Sequence, residues 1–312
     1  MLLVVALVLG LVVGSFLNVC IVRLPEGQSI VHPRSRCPAC DTQIPWWANV
    51  PVVSYLALRG RCAYCTAPIS PRYLLVEALT GALFVAVYFR FGVTAHAVIA
   101  AALVSALVVL TFIDIDHRII PDVISLPGIA LGFAVSWLPG GVSPASSAAG
   151  LMLGGGLLAG AAWLYAWWTR RGGLGLGDVK LLAMIGAFLG WTAVPATMIV
   201  ASLSGSAVGI PAILVRGRHL RPRDGVRAGV MVTVLSAVAL LGLQRVTGAP
   251  SGLALLGARE LALAVVLGTL TGLLVTVRLA ARRYPIPFGP FLALGALVCI
   301  FLKPEGVLTL LG

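Results

Sequence analysis

Apolar residues run almost unbroken through most of this chain, in stretches at roughly 1–22, 74–89, 94–113, 123–138, 147–168, 179–192, 194–215, 228–244, 260–277 and 288–310. Runs of about 18 to 23 apolar residues cross roughly 30 Å of hydrocarbon as helices. The pattern predicts an all-α polytopic membrane protein with about ten transmembrane helices. The segment LLAMIGAFLGW after Asp178 is the least regular; it fits a short span, a tilted span or a re-entrant segment. The first run lacks a basic n-region and a convincing small-residue cleavage site, and it is too long for a signal peptide, so it reads as a retained first helix. Polar interruptions divide the chain into a first helix at 1–22, a polar loop domain at 23–73, a transmembrane core at 74–217, an extra region with two helices at 218–281, and a last helix within 282–312.

Composition agrees with the pattern. Of 312 residues, 60% are hydrophobic and 10% charged, where a soluble domain carries about 25% charged residues; mean hydropathy is +1.05. Charge then adds orientation, because Lys and Arg near span ends stay on the cytoplasmic side. With both termini outside and ten spans, only Arg90, Arg245, Arg259 and Lys303 of the 22 basic residues fall on the outer face. The net charge of +12 is therefore membrane topology and not a nucleic-acid footprint. The Arg216–Arg227 cluster sets topology and can also meet anionic lipid headgroups.

The polar loop holds four of the six cysteines, in RCPAC and RCAYC. Cys37, Cys40, Cys62 and Cys65 form two CxxC pairs separated by 21 residues, a spacing that lets two pairs of thiolates close a tetrahedron around zinc. The competing reading is two disulfides, disfavoured on a cytoplasmic loop. A loop of some fifty residues with few large apolar side chains could not build a core alone, so a structural zinc would supply its folding free energy, giving a small zinc-ribbon-like cytoplasmic domain. Cys20 and Cys299 lie in apolar runs and read as packing residues. So does LGGGLLAG at 153–160, a helix-packing surface.

Only ten residues are acidic, and four of them stand near two short inner loops: Asp114, Asp116 and Asp122 in TFIDIDHRIIPD, and Asp178 in GLGLGDVKL. An acid at the end of a spanning segment marks function by default. Two carboxylates sharing a site do not both ionise easily, so one can act as general base and the other as general acid on a water, which is aspartyl protease chemistry. Asp122 follows Pro121 and reads as a helix N-cap. Asn18 reads as a helix–helix hydrogen-bonding residue, and Glu77 as a polar position near the cysteine loop.

Five motifs in order carry a family resemblance: GSFLNVCIVRLP; RSRCPACDTQIPWWANVPVVSYLALRGRCAYCTAPISPRYLLVEALTG; FIDIDHRIIPD; GLGDVKLLAMIGAFLGW; and PIPFGPFLALGA. Together the set resembles the type IV prepilin peptidases, bifunctional leader peptidase and N-methyltransferase enzymes with GxGD-type aspartyl sites. The resemblance implies a catalytic pair at Asp114 and Asp178, with Asp116 second in rank for the first acid. It implies prepilin or pseudopilin substrates cut at the cytoplasmic face of the inner membrane, a methyl donor in S-adenosylmethionine, and eight family-like helices, leaving two extra. No Rossmann-type glycine fingerprint locates the methyl donor. Two other classes compete: a transporter with acids as ion sites, against which the interfacial position of the acids speaks, and a noncatalytic assembly factor whose zinc loop binds a partner.

Overall fold

The computed structural model describes residues 1–169, 175–215 and 287–302, which are helices and irregular loops with no strand among them. The chain divides into two compact units, Met1–Gly128 and Ile129–Gly312.

The first unit packs three long helices: α1 (Leu2–Arg23), α3 (Pro71–Phe91) and α4 (Ala95–His117), with a one-turn helix α2 (Val53–Ala57) in the loop between α1 and α3. The two long helices after the loop start at recognisable caps. Ser70 accepts the backbone N–H of Arg72 ahead of Pro71 at the first helical position, and Thr94 accepts that of Ala97 at 3.2 Å. These helices are apolar on nearly every side, and lipid is as apolar as leucine, so close packing has to hold them together. At the α1–α3 crossing a Cβ on Gly10 would sit 2.8 Å from the Gly81 Cα, and one on Gly14 2.8 Å from the Glu77 Cα. Below this contact Leu17, Ile21, Val76, Val109 and Ile113 form the core shared by α1, α3 and α4.

Asn18 of α1 is buried and donates to the Tyr73 carbonyl at 3.1 Å, the helix–helix hydrogen bond its position predicts. The next helix, α5 (Asp122–Val135), begins in this unit and carries Pro127 inside it. Asp122 lies in its first turn, where a carboxylate complements the helix dipole.

The second unit contains α6 (Pro144–Thr169), α7 (Leu176–Leu189), α8 (Ala193–Val215) and α9 (Gly289–Leu302). Helix α7 is the most enclosed, with Leu181, Leu182, Met184, Ile185 and Ala187 all fully buried and contacts to α6, α8 and α9. Its crossing with α6 depends on glycine: a Cβ on Gly150 would run into the backbone of Gly186 and Gly190, and one on Gly154 would sit 2.5 Å from the Leu182 carbonyl oxygen. Ser147 reinforces the crossing by donating to the Ala187 carbonyl at 2.6 Å. Part of the 153–160 glycine run is thus a packing surface, as its composition predicts, while Gly156 and Gly160 face open space. Cys299 packs with Ala193 and Ala196, its sulfur 3.7 Å from the Thr197 hydroxyl.

Four described helices, α1, α3, α4 and α6, are long and apolar enough to cross a membrane, and α5, α9 and the first half of α8 are shorter apolar helices. This is a multi-pass membrane protein. Two helix boundaries differ from the hydropathy pattern, and both differences concern acids. Helix α4 continues past 113 to His117, and α7 starts at Leu176, so Asp114, Asp116 and Asp178 are helical instead of lying in loops. Hydropathy falls at the first charge, but the backbone hydrogen bonds run on for another turn. The expected helices at 228–244 and 260–277, the end of the 288–310 run and the Arg216–Arg227 cluster lie outside the described residues.

Candidate metal centre and membrane-face acids

The loop between α1 and α3 is built around two near-copies of one turn. In the first, the Cys37 N–H donates to the Thr42 carbonyl at 3.0 Å and the Asp41 N–H returns to the Cys37 carbonyl at 2.9 Å; in the second, Cys62 and Ala67 pair at 2.9 Å, and Thr66 and Cys62 at 3.1 Å. Asp41 and Thr66, each four residues after the first cysteine of its pair, take left-handed φ values of 54° and 56°. An isolated bridge closes each turn, Arg36 with Gln43 and Arg61 with Pro68.

These turns bring Cys37, Cys40, Cys62 and Cys65 together, with all four sulfurs within 4.8 Å of one another. None is in a disulfide. Zn–S bonds of about 2.3 Å put tetrahedral sulfurs about 3.8 Å apart, and Cys37 Sγ stands 3.8 Å from Cys65 Sγ. The donor set therefore fits a tetrahedral, thiolate-liking metal, and the cluster could hold one. Its thiols are electrostatically uneven. The Thr42 side chain and backbone hold Cys40 down at about 6. The backbone N–H groups of Cys65 and Tyr64 lower Cys62. At Cys65 a backbone hydrogen bond at Ala67 acts in the same direction, but burial and the neighbouring Cys40, Cys62 and Cys37 sulfurs push it up to about 12.

The acids are placed by helix ends. Asp114 lies in the last turn of α4 and is only 5% exposed; its carbonyl accepts the N–H of Arg118, which takes a left-handed conformation (φ 57°, ψ 37°) and stops the helix. Asp178 lies in the first turn of α7, also 5% exposed, three residues after Gly175 begins the helix with an extended backbone. Asp114 belongs to the first compact unit and Asp178 to the second. Asp116 has a different environment. It forms an ion pair with Arg72 of α3, both side chains being 31% exposed, and the Arg72 guanidinium also lies 5.6 Å over the Phe112 ring.

Two contacts give Asp116 and Glu77 partners that sequence reasoning does not assign. One is the Arg72–Asp116 pair. The other is Glu77, buried in α3, whose carboxylate accepts the Val52 N–H at 2.7 Å. A sequence signal existed for both: each is a charge within a turn or two of a span end, in a chain with few charges to spare.

Residues 8–91 match the Bacterial Peptidase A24 N-terminal domain, and residues 101–210 match the Type IV leader peptidase family. A Stutzerimonas stutzeri protein named prepilin leader peptidase/N-methyltransferase is 37% identical over 265 residues, covering 78% of this chain and 91% of that protein. The chain belongs to the type IV leader peptidase family. Proteins of the same name from Myxococcus xanthus and Pseudomonas putida are 48% and 39% identical over 68% of this chain; the matches cover 63% of the Myxococcus protein, less than two thirds, and 81% of the Pseudomonas one. No solved structure matches the chain. As in the family's N-terminal domain match, the four-cysteine cluster lies within 8–91, and both acid-bearing turns lie within the leader peptidase match.

Proposed function

We propose that this chain is an inner-membrane aspartyl endopeptidase that removes the leader from prepilins or pseudopilins at the cytoplasmic membrane face and then N-methylates the new amino terminus. Asp114 and Asp178 are the catalytic pair. The observation that carries this reading is their burial at two helix ends within the leader peptidase match, whereas Asp116, the alternative first acid, is exposed. The proton shared by the pair leaves one carboxylate free to take a proton from water as its oxygen adds to the scissile carbonyl. The other carboxyl gives its proton to the departing amide nitrogen as the C–N bond breaks. The products are a free leader carboxylate and a pilin with a new amine.

Cys37, Cys40, Cys62 and Cys65 hold a structural zinc in a ribbon-like cytoplasmic module at 23–73; four thiolates leave no open coordination position, so the metal supplies folding free energy. S-adenosylmethionine supplies the methyl group. The remaining parts are a first helix at 1–22, a peptidase core at 74–217, an extra two-helix region at 218–281 and a last helix within 282–312. Ten spans place both termini outside and the acids inside. A transporter reading is weaker, because ion sites in that class lie near the midplane whereas these acids occupy helix ends. An assembly-factor reading fails to account for two buried acids.

The deciding experiment is cleavage of a prepilin by membranes containing the full chain, beside Asp114→Asn and Asp178→Asn at matched expression. Loss in both supports the pair, and cleavage by either at the unmodified rate overturns it.

A further inference from the structure

We propose that Arg72 is a positioning residue for leader cleavage, acting through Asp116 and Phe112 to fix the rotation of the last turn of α4; this rests on Asp114 being one of the catalytic acids. Residues 112 and 116 are four apart and share a face of the helix, whereas residue 114 is turned by about 200° from residue 112. Arg72 therefore grips one face of the turn, with its charge on Asp116 and its guanidinium carbon over the Phe112 ring. Asp114 lies on the other side, buried.

This turn needs an external hold. Helix ends fray, and α4 stops one residue after His117, at Arg118. An ion pair whose members are each 31% exposed contributes little to stability. What it does supply is orientation, because a guanidinium held by a carboxylate and over an aromatic ring at once has few arrangements left to it. Ser70 and Pro71 set the start of α3 immediately before Arg72, so the arginine projects from a capped, fixed turn. Neither Arg72 nor Asp116 touches the reacting atoms in this scheme; they set where the Asp114 carboxyl points.

The test is steady-state cleavage of a prepilin peptide by full-length protein, with zinc content and methylation of a precut peptide followed in the same preparations. Arg72→Gln and Asp116→Asn should each lower kcat about 10- to 100-fold, the scale of a small misplacement of a catalytic group, with KM within about twofold. The double variant should be no worse than the worse single, because both break one contact. Arg72→Lys, which keeps the charge and loses the planar guanidinium, should recover part of kcat. Wild-type kcat in zinc-replete Arg72→Gln, or losses that multiply in the double variant, overturns the proposal while an inactive Asp114→Asn leaves the catalytic reading standing. An active Asp114→Asn removes that reading and this one with it. Should Arg72→Gln not accumulate, Asp116→Asn decides the matter, since it is isosteric and alters only the pair.

Discussion

The Glu77 carboxylate accepts the backbone N–H of Val52 at 2.7 Å, joining a buried position of α3 to a loop residue 25 positions earlier. Val52 has φ 62° and ψ −50°, a γ-turn conformation with positive φ that a β-branched residue adopts only under constraint, and the Val53 N–H closes the turn on the Pro51 carbonyl at 2.6 Å. Such a conformation costs about 1–3 kcal/mol, which the hydrogen bond to the Glu77 carboxyl helps to offset. Glu77 thus pins the cysteine loop onto α3.

Replacing Glu77 with Ala should free that turn, and limited proteolysis at the exposed Arg59 and Arg61 should accelerate severalfold. Gln keeps an acceptor oxygen in the same place, so Glu77→Gln should be cut at close to the parent rate. Equal rates for Ala, Gln and the parent would show that the contact does not restrain the loop.

Metal removal should have a larger and more local effect. Zinc binding is worth about 10–16 kcal/mol in small finger peptides, more than a loop without a core can replace. Metal analysis should find close to one zinc per chain, and Cys37→Ser with Cys62→Ser should abolish it. Chelation should open the 23–73 loop to protease while helical circular dichroism falls only slightly, because the spanning helices do not depend on the metal. Purified protein without metal, or with the four cysteines paired as disulfides in cells, contradicts the zinc assignment.

Packing along α6 gives a matched pair of substitutions. Gly150 faces the Gly186 backbone, and Gly156 has no atom within 4 Å of where a Cβ would be. Gly150→Leu should force α6 and α7 apart, costing about 1–3 kcal/mol or more by overpacking, and should lower leader cleavage, since α7 carries Asp178. Gly156→Leu should be tolerated, adding an apolar side chain to an exposed position. Similar melting temperatures and cleavage rates for the two variants would remove the glycine crossing as a determinant of the site.

Much of this arrangement is legible along the chain because lipid imposes a simple rule: an apolar run long enough to span is a helix. Hence α1, α3, α4 and α6 follow from hydropathy, and the paired CxxC spacing gives the four-cysteine cluster before any geometry is known. The last turn of α4 and the first of α7 escape that rule, because hydrophobicity reports where the chain leaves hydrocarbon and not where its hydrogen bonds end. Arg72, Asp116 and Glu77 escape it for a second reason. Their partners lie 25 to 44 residues away, at distances set by how helices cross, and neither hydropathy nor local spacing encodes that. Asp114 and Asp116 have the same residue type and nearly the same sequence context; burial tells them apart, Asp114 being enclosed and Asp116 exposed.

That distinction gives the last prediction its form. Asp→Asn keeps size and polarity and removes the ability to exchange a proton, so Asp114→Asn and Asp178→Asn should each abolish leader cleavage. Loss of general acid–base assistance alone costs about 10²- to 10⁴-fold. Members of one catalytic unit are strongly non-additive, so the double variant should be little worse than either single. Asp116→Asn should retain more activity than Asp114→Asn if, as proposed, Asp116 only orients the turn and Asp114 and Asp178 carry the protons. Asp122→Asn, in the first turn of α5, should retain most. Methylation of a precut substrate, measured on the same membranes, should survive in Asp178→Asn if the acid pair serves hydrolysis alone. An inactive Asp116→Asn beside an active Asp114→Asn would move the first catalytic acid two residues along α4, and parallel loss of methylation and cleavage in Asp178→Asn would mean that the two reactions share this helix end.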